Sequence, residues 1–121
     1  MTPAPGTWFA LGLEINVGRL SACLIDLTGH VIAEEVRVCD LRDSDVEPVI
    51  AEVAEMGRRL LAKPCAGMTL AGVQVALPGL VDVDERVLLR APNLGWWNVR
   101  PSETVAQIVG VDVSLIGVGN E

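Results

Sequence analysis

Four short stretches carry the residues that could do chemistry. Gly12-Leu13-Glu14-Ile15-Asn16-Val17-Gly18-Arg19 sets a carboxylate and a side-chain amide between glycines. Val73 to Asp82 is an apolar run broken by Pro78-Gly79. Ala91-Pro92-Asn93-Leu94-Gly95-Trp96 holds an amide between a proline and a glycine. Val118-Gly119-Asn120-Glu121 joins an amide to a carboxylate. An amide both donates and accepts hydrogen bonds, which suits a hydroxyl partner that does the same. A carboxylate can act as a general base. Glycine lets a backbone turn tightly or come close to another group. Taken singly, each stretch also has a plain structural reading: a hairpin, a strand-ending Pro-Gly turn, a turn asparagine.

These residues need elements to hold them. Trp8 to Ile15 is a mostly apolar run suited to a buried strand. Arg19 to Leu27 reads as a second strand, with Ser21, Cys23 and Ile25 on one face, and Asp26 to His30 as a hairpin turn. Val31 to Val38 alternates only partly, as a strand with one wet face does. After a polar turn, Asp40 to Asp45, apolar residues recur at helical spacing from about Val46 to Ala62, with Ser44 or Asp45 as cap and Lys63-Pro64 as stop. Leu70 to Leu77 reads as a buried strand, and Leu80 to Leu89 as a hairpin turning at Asp84-Glu85. Ala91 to Asn98 reads as a loop and Ser102 to Val109 as a helix stopped by Gly110. Val111 to Val118 is the last strand. The order β-β-β-α-β-(hairpin)-α-β predicts an α/β fold with a mixed sheet and helices packed on it.

Composition narrows the function. The chain has 121 residues, half of them hydrophobic, enough for one small domain with a core of Val, Leu, Ile and Ala. The net charge of −7, with scattered Lys and Arg, argues against a nucleic-acid grip by this segment. The three cysteines, Cys23, Cys39 and Cys65, form no CxxC pair and so no zinc or redox signature; Cys23 is expected in the core. His30, the lone histidine, falls in a turn and is assigned to no metal. No apolar stretch reaches membrane length, and the N-terminus lacks the pattern of a secretory signal. A cytoplasmic location with reduced thiols follows as the expectation.

In combination and order, the four stretches resemble the ROK family (repressor, open reading frame, kinase) from about Phe9 to Glu121. The first resembles the phosphate loop G-x-D-I-G-G-T-K of sugar kinases with this fold. In that loop two glycines aim backbone N–H groups at nucleotide phosphates, the acidic residue helps place the metal, and the hydroxyl contacts phosphate. Here Glu14 stands at the Asp, Asn16 and Val17 at the two glycines, Gly18 at the Thr and Arg19 at the Lys. Val17 is β-branched and disfavours φ > 0, so the resemblance implies a degenerate nucleotide site at Glu14, Asn16 and Gly18. The second stretch resembles the family's Pro-Gly strand end, where Gly79 would approach a sugar closely. The third is similar to A-P-N-L-x-W, whose Asn, here Asn93, bonds sugar hydroxyls. The fourth resembles E-N-D-A-N. Asn120 matches its sugar-binding Asn, Gly119 departs from the Glu, and Glu121 replaces the general-base Asp. The longer side chain displaces that base by roughly an ångström or more, which implies an inactive position.

The resemblance implies a ribonuclease H-like, actin-like ATPase half-domain. Residues 1–7 read as a leader or linker, and 8–121 as the N-terminal lobe of a ROK domain, truncated before its second lobe. The implied function is the sugar-sensing domain of a transcriptional regulator, similar to the sugar-responsive repressors for xylose or N-acetylglucosamine, which the sugar would move off DNA. The alternative is the N-terminal lobe of an ATP-dependent, glucokinase-like sugar kinase. A domain with no ligand of its own is the third reading. The implied partners are a small sugar effector, DNA through a helix-turn-helix outside this segment, and further copies of the full-length chain. No membrane partner is implied. No cofactor is expected in these residues, since the family's zinc motif belongs to the other half.

Overall fold

The computed structural model describes residues 8–62 and 68–118. The first apolar run forms β1 (Trp8–Asn16), which buries Phe9, Leu11, Leu13 and Ile15 on one face. β2 (Arg19–Asp26) buries Leu20, Ala22 and Leu24, and β3 (Val31–Val38) completes an antiparallel meander. The Asp26 carboxylate closes the second turn, accepting bonds from the Thr28 hydroxyl and the Thr28 and His30 amides, while Gly29 takes φ 90°. Those bonds, the Thr28 hydroxyl first, hold the Asp26 carboxyl below its ordinary range.

The helical spacing yields α1 (Val46–Leu61), which buries Val49, Ile50, Val53, Ala54, Met56, Gly57 and Leu60. Asp45 occupies its N-cap position with extended backbone, but neither candidate cap works as expected: Asp45 makes no side-chain cap bond, and the Ser44 hydroxyl is buried without a partner. Lys63-Pro64, the expected stop, lies outside the described residues. β4 (Thr69–Pro78) then pairs parallel to β1. β5 (Leu80–Asp82), β6 (Val87–Ala91) and β7 (Trp96–Val99) form a separate antiparallel sheet. The expected loop over Ala91 to Asn98 is therefore only partly a loop. Trp96 and Trp97 sit in a strand because they pair with Ala91 and Arg90 across a short turn. α2 (Pro101–Val109) starts on a proline and ends at Gly110, whose φ of 85° is the left-handed stop the sequence called for. β8 (Val113–Val118) adds parallel to β4 and starts two residues later than expected.

The main sheet runs β3-β2-β1-β4-β8. The meander is antiparallel and the two later strands are parallel, crossed by helices as the element order demanded. Both helices pack on one face and on each other. On the opposite face, a Cβ added at Gly12 or Gly72 would meet nothing within 4 Å. Cys23 lies on that face beside Glu34 of β3, half-buried and outside the core. Strand alternation explains the departure, because Leu20, Ala22 and Leu24 take the inward positions of β2. Burial first, and the Glu34 charge second, push the Cys23 thiol up. β3 is an edge strand, wetter than a strand with one exposed face: Val36 and Val38 are 51% and 84% exposed. Among the described residues no helix is long and apolar enough to cross a membrane.

Candidate functional site

The parallel register of β1, β4 and β8 decides which candidate residues can meet. Glu14 pairs with Ala76, and Ala76 with Ile116. The carboxyl ends of the three strands therefore lie together. They bring the Asn16-Val17-Gly18 turn, Pro78-Gly79 and Val118 to one edge of the sheet.

Gly79 sits where β4 gives way to β5, at φ 130°. A Cβ there would lie 2.2 Å from the Arg90 carbonyl oxygen and 3.1 Å from the Ala91 Cα. The close approach that requires glycine is made by β6. Asn93 follows two residues after Ala91, exposed in the turn between β6 and β7, so Gly79 and the Asn93 turn share a corner. β8 reaches the same corner. Its Val118 pairs with Pro78, and a Cβ at Gly117 would lie 2.9 Å from the Gly79 carbonyl oxygen. Asn120 and Glu121 lie outside the described residues.

The first candidate stretch is a two-residue hairpin, with Asn16 paired to Arg19. Neither Val17 nor Gly18 takes a positive φ, so Val17 carries none of the strain that a left-handed turn would impose. Its side chain packs against the core. The Gly18 N–H donates to the Asn16 Oδ1 at 3.4 Å, an Asx-type turn closed by the asparagine itself. Glu14 is occupied as well: its Oε1 accepts from the Arg19 guanidinium at 3.2 Å and from the Ser21 hydroxyl at 3.3 Å. The Gly18 amide and the Glu14 carboxylate, the groups a phosphate cradle would use, are thus engaged within the hairpin. Among the described residues no three His, Cys, Asp or Glu side chains group to hold a metal ion.

A strap between β3 and α1 joins the corner together. Cys39 N–H donates to the Gly18 carbonyl at 3.1 Å, and Leu41 N–H to the Val17 carbonyl at 2.9 Å. Three residues later, Ser44 N–H donates to the Leu41 and Leu94 carbonyls, each at 3.2 Å. The Trp96 indole N–H donates back to the Ser44 carbonyl at 2.9 Å. Asp43, at φ 52°, lies against Gly95, at φ 75°; a Cβ on that glycine would be 3.0 Å from the Asp43 Oδ1. Within the strap, the Arg42 guanidinium grips Asp40 and holds its carboxyl down to about 2. Trp96 is buried and packs the loop, whereas Trp97 is 57% exposed. The sequence marks Ser44 only as a helix cap and does not mark Asp43 at all. Any signal at Asp43 was faint: an aspartate, which tolerates φ > 0, inside a run already read as a turn.

No family model matches the chain. Curated relatives include the xylose repressors of Bacillus subtilis, 20% identical over 113 residues, and of Caldicellulosiruptor bescii, 24% identical over 111. These matches take in 93% and 91% of this chain, which spans only 29% and 28% of those proteins. Among solved structures, a ROK family transcriptional regulator homologous to the E. coli MLC protein superimposes with a TM-score of 0.75 at 20% identity, over 92% of this chain and 28% of that one. A ROK family glucokinase from Streptomyces griseus, in complex with glucose and AMPPNP, gives 0.72 at 20% identity, over 90% and 33%.

Proposed function

We propose that this chain, whose fold and relatives support a ROK-family protein covering part of the ROK domain, is the sugar-sensing lobe of a transcriptional regulator. The observation that carries the choice of sensor over kinase lobe is the engagement of the Gly18 amide by Asn16. A kinase must aim such amides at phosphate; this turn spends its amide internally. The ion pair between Glu14 and Arg19 supports the same reading, since it turns the carboxylate that would serve a metal toward a guanidinium. The sugar side is not depleted in the same way. Asn93 is exposed at a turn held from behind, its amide open to a hydroxyl.

On this reading residues 8–121 form one lobe, residues 1–7 lead into it, and a second lobe closes over a sugar at the corner of Gly79 and Asn93. Asn120 and Glu121 belong to the same site, with Glu121 a sugar contact rather than a working base. Effector binding shifts the regulator between two states by its different affinity for each. DNA is held by a separate helix-turn-helix, because a lobe of net charge −7 is a poor ligand for phosphate. The regulator works in the cytoplasm as a homo-oligomer, with no metal held by the described residues.

The test is calorimetric titration of the full-length protein with D-xylose, D-glucose and N-acetyl-D-mannosamine, and separately with ATP and Mg²⁺. Binding of a sugar without ATP binding is the expected result. Micromolar ATP binding with steady phosphorylation of any of these sugars would overturn the sensor in favour of the kinase lobe.

A further inference from the structure

The geometry points to Trp96 as a positioning residue for sugar recognition, acting through the strap on the turn that presents Asn93. This inference rests on the sugar reading above and concerns how that site is kept in shape.

The Asn93 turn is short and its crest is exposed, so its own bonds hold it only locally. Leu94 N–H donates to the Ala91 carbonyl at 3.0 Å and Gly95 N–H to the Pro92 carbonyl at 3.1 Å. Without further support, the amide of Asn93 would sample many orientations, and ordering it would weaken binding. The support comes from residues far away in sequence. Leu94 is fully buried, and its carbonyl accepts the Ser44 N–H. Trp96 closes the ring from the other side, its indole N–H on the Ser44 carbonyl. One residue of the strap thus grips the turn both before and after Gly95, through its donor and its acceptor. Asp43 fills the space over Gly95 where any other residue would carry a Cβ.

The far end of the strap is anchored on the Val17 and Gly18 carbonyls. The remnant of the phosphate loop therefore serves as the foundation for the sugar-side turn. That gives the hairpin a use that survives the loss of nucleotide chemistry.

The test uses full-length protein in four forms: wild type, Trp96→Phe, Asn93→Ala and the double variant. Phenylalanine keeps an aromatic ring in the buried site and removes the N–H. Two readouts are taken, calorimetric affinity for D-xylose and D-glucose, and amide hydrogen exchange at Ser44, Leu94 and Gly95. In Trp96→Phe the three amides exchange faster, and affinity falls roughly ten-fold, the scale of one buried hydrogen bond. In the Asn93→Ala background the same substitution weakens binding no further, because its effect passes through Asn93. A merely structural tryptophan would lower affinity equally in both backgrounds. Should Trp96→Phe fail to fold, Asp43→Gly takes its place; it removes the contact over Gly95 from an exposed position, with a loss of about three-fold expected.

Unchanged exchange at the three amides overturns the clasp whatever the sugar result. Wild-type sugar binding that Asn93→Ala abolishes and Trp96→Phe leaves intact overturns the positioning role while the sugar reading stands. Wild-type protein that binds neither of these sugars nor N-acetyl-D-mannosamine overturns the sugar reading, and the role of Trp96 in recognition falls with it.

Discussion

Gly79 and Arg90 meet backbone to backbone: the Arg90 carbonyl oxygen lies 2.2 Å from the point where a side chain at position 79 would begin. The contact fixes the small sheet against the carboxyl end of β4. Gly79→Ala must move β6 or abandon φ 130°, and both distort the corner that presents Asn93. The expected loss is on the order of 3 kcal/mol, from the left-handed backbone and the collision together. Chemical denaturation measures it. A loss under about 1 kcal/mol would mean that β6 yields easily and that the corner is soft.

Gly57 offers a graded case. It lies on the buried face of α1, where a Cβ would come within 2.9 Å of a Leu13 methyl and 3.0 Å of a Leu11 methyl. Those are the tips of flexible side chains, so one added carbon displaces them slightly while the helix gains about 1 kcal/mol of propensity. Gly57→Ala is expected within about 1 kcal/mol of wild type, since the two effects oppose each other. Gly57→Val pushes further into the sheet and should lose about 1–3 kcal/mol. Thermal melts of the pair would show the step; equal melting temperatures would contradict the packing described.

Ion pairs on the surface should matter little. Arg19 and Glu14 are 52% and 29% exposed, and Arg86 and Asp112 are 46% and 76% exposed. Arg19→Ala and Arg86→Ala are each expected to lower stability by less than about 1 kcal/mol. By contrast, Leu24→Ala, at a fully buried site in β2, should lose about 2–5 kcal/mol. Urea melts of the three variants test the ranking, and an arginine substitution as severe as the leucine one would reverse it.

Acid should weaken the fold in a defined window. Asp40 is held down to about 2 by the Arg42 guanidinium, and Asp26 and Asp112 are lowered by the Thr28 hydroxyl and the Arg86 guanidinium. Each carboxyl binds its proton less readily folded than unfolded. Their contributions are therefore present above the ordinary carboxylate value of about 4 and fade as pH falls towards 2. All three are exposed, so the slope is shallow. Melting temperature against pH should fall less steeply in Asp40→Asn than in wild type across that interval; parallel curves would remove Asp40 from the account.

The Cys23 thiol should be slow. Burial and the Glu34 charge raise its pKa, so less thiolate is present near neutrality than on an unfolded chain. The same shift favours the fold below the ordinary thiol range and is lost as pH rises through the raised value. Iodoacetamide labelling followed by peptide mass spectrometry should find Cys23 modified more slowly in native than in urea-unfolded protein. Equal rates would contradict the environment described.

The strands and helices were legible because their signals were local. Phe9, Leu11, Leu13 and Ile15 alternate as a half-covered strand must, and Gly110 marks the helix end at which it stands. A mixed sheet followed from the helices that precede β4 and β8, but the place of β4 beside β1 did not. β7 escaped notice because Trp96-Trp97-Asn98-Val99 is short, carries Asn98 at φ 55° and follows a proline and glycine turn. Cys23 was misplaced because hydrophobicity alone does not say which face of a strand turns inward. The strings at Gly79 and Asn93 stand out in the sequence, and the fold brings them to one corner; the strap that joins that corner does not stand out. Its bonds run through the backbone of Leu41 and Ser44, and backbone atoms leave no trace in residue type.

The position of β1 sets an order of assembly. It is bonded on one side to β2, its immediate neighbour in the chain, and on the other to β4, which follows only after the whole of α1. During synthesis the meander can therefore pair while the opposite edge of β1 has no partner. Loop closure across α1 comes later and more slowly. Until β4 arrives, the unpaired donors and acceptors from Trp8 to Glu14 form an open template for any other extended chain. The nascent chain is thus most prone to mispairing in the interval between the completion of β3 and the docking of β4.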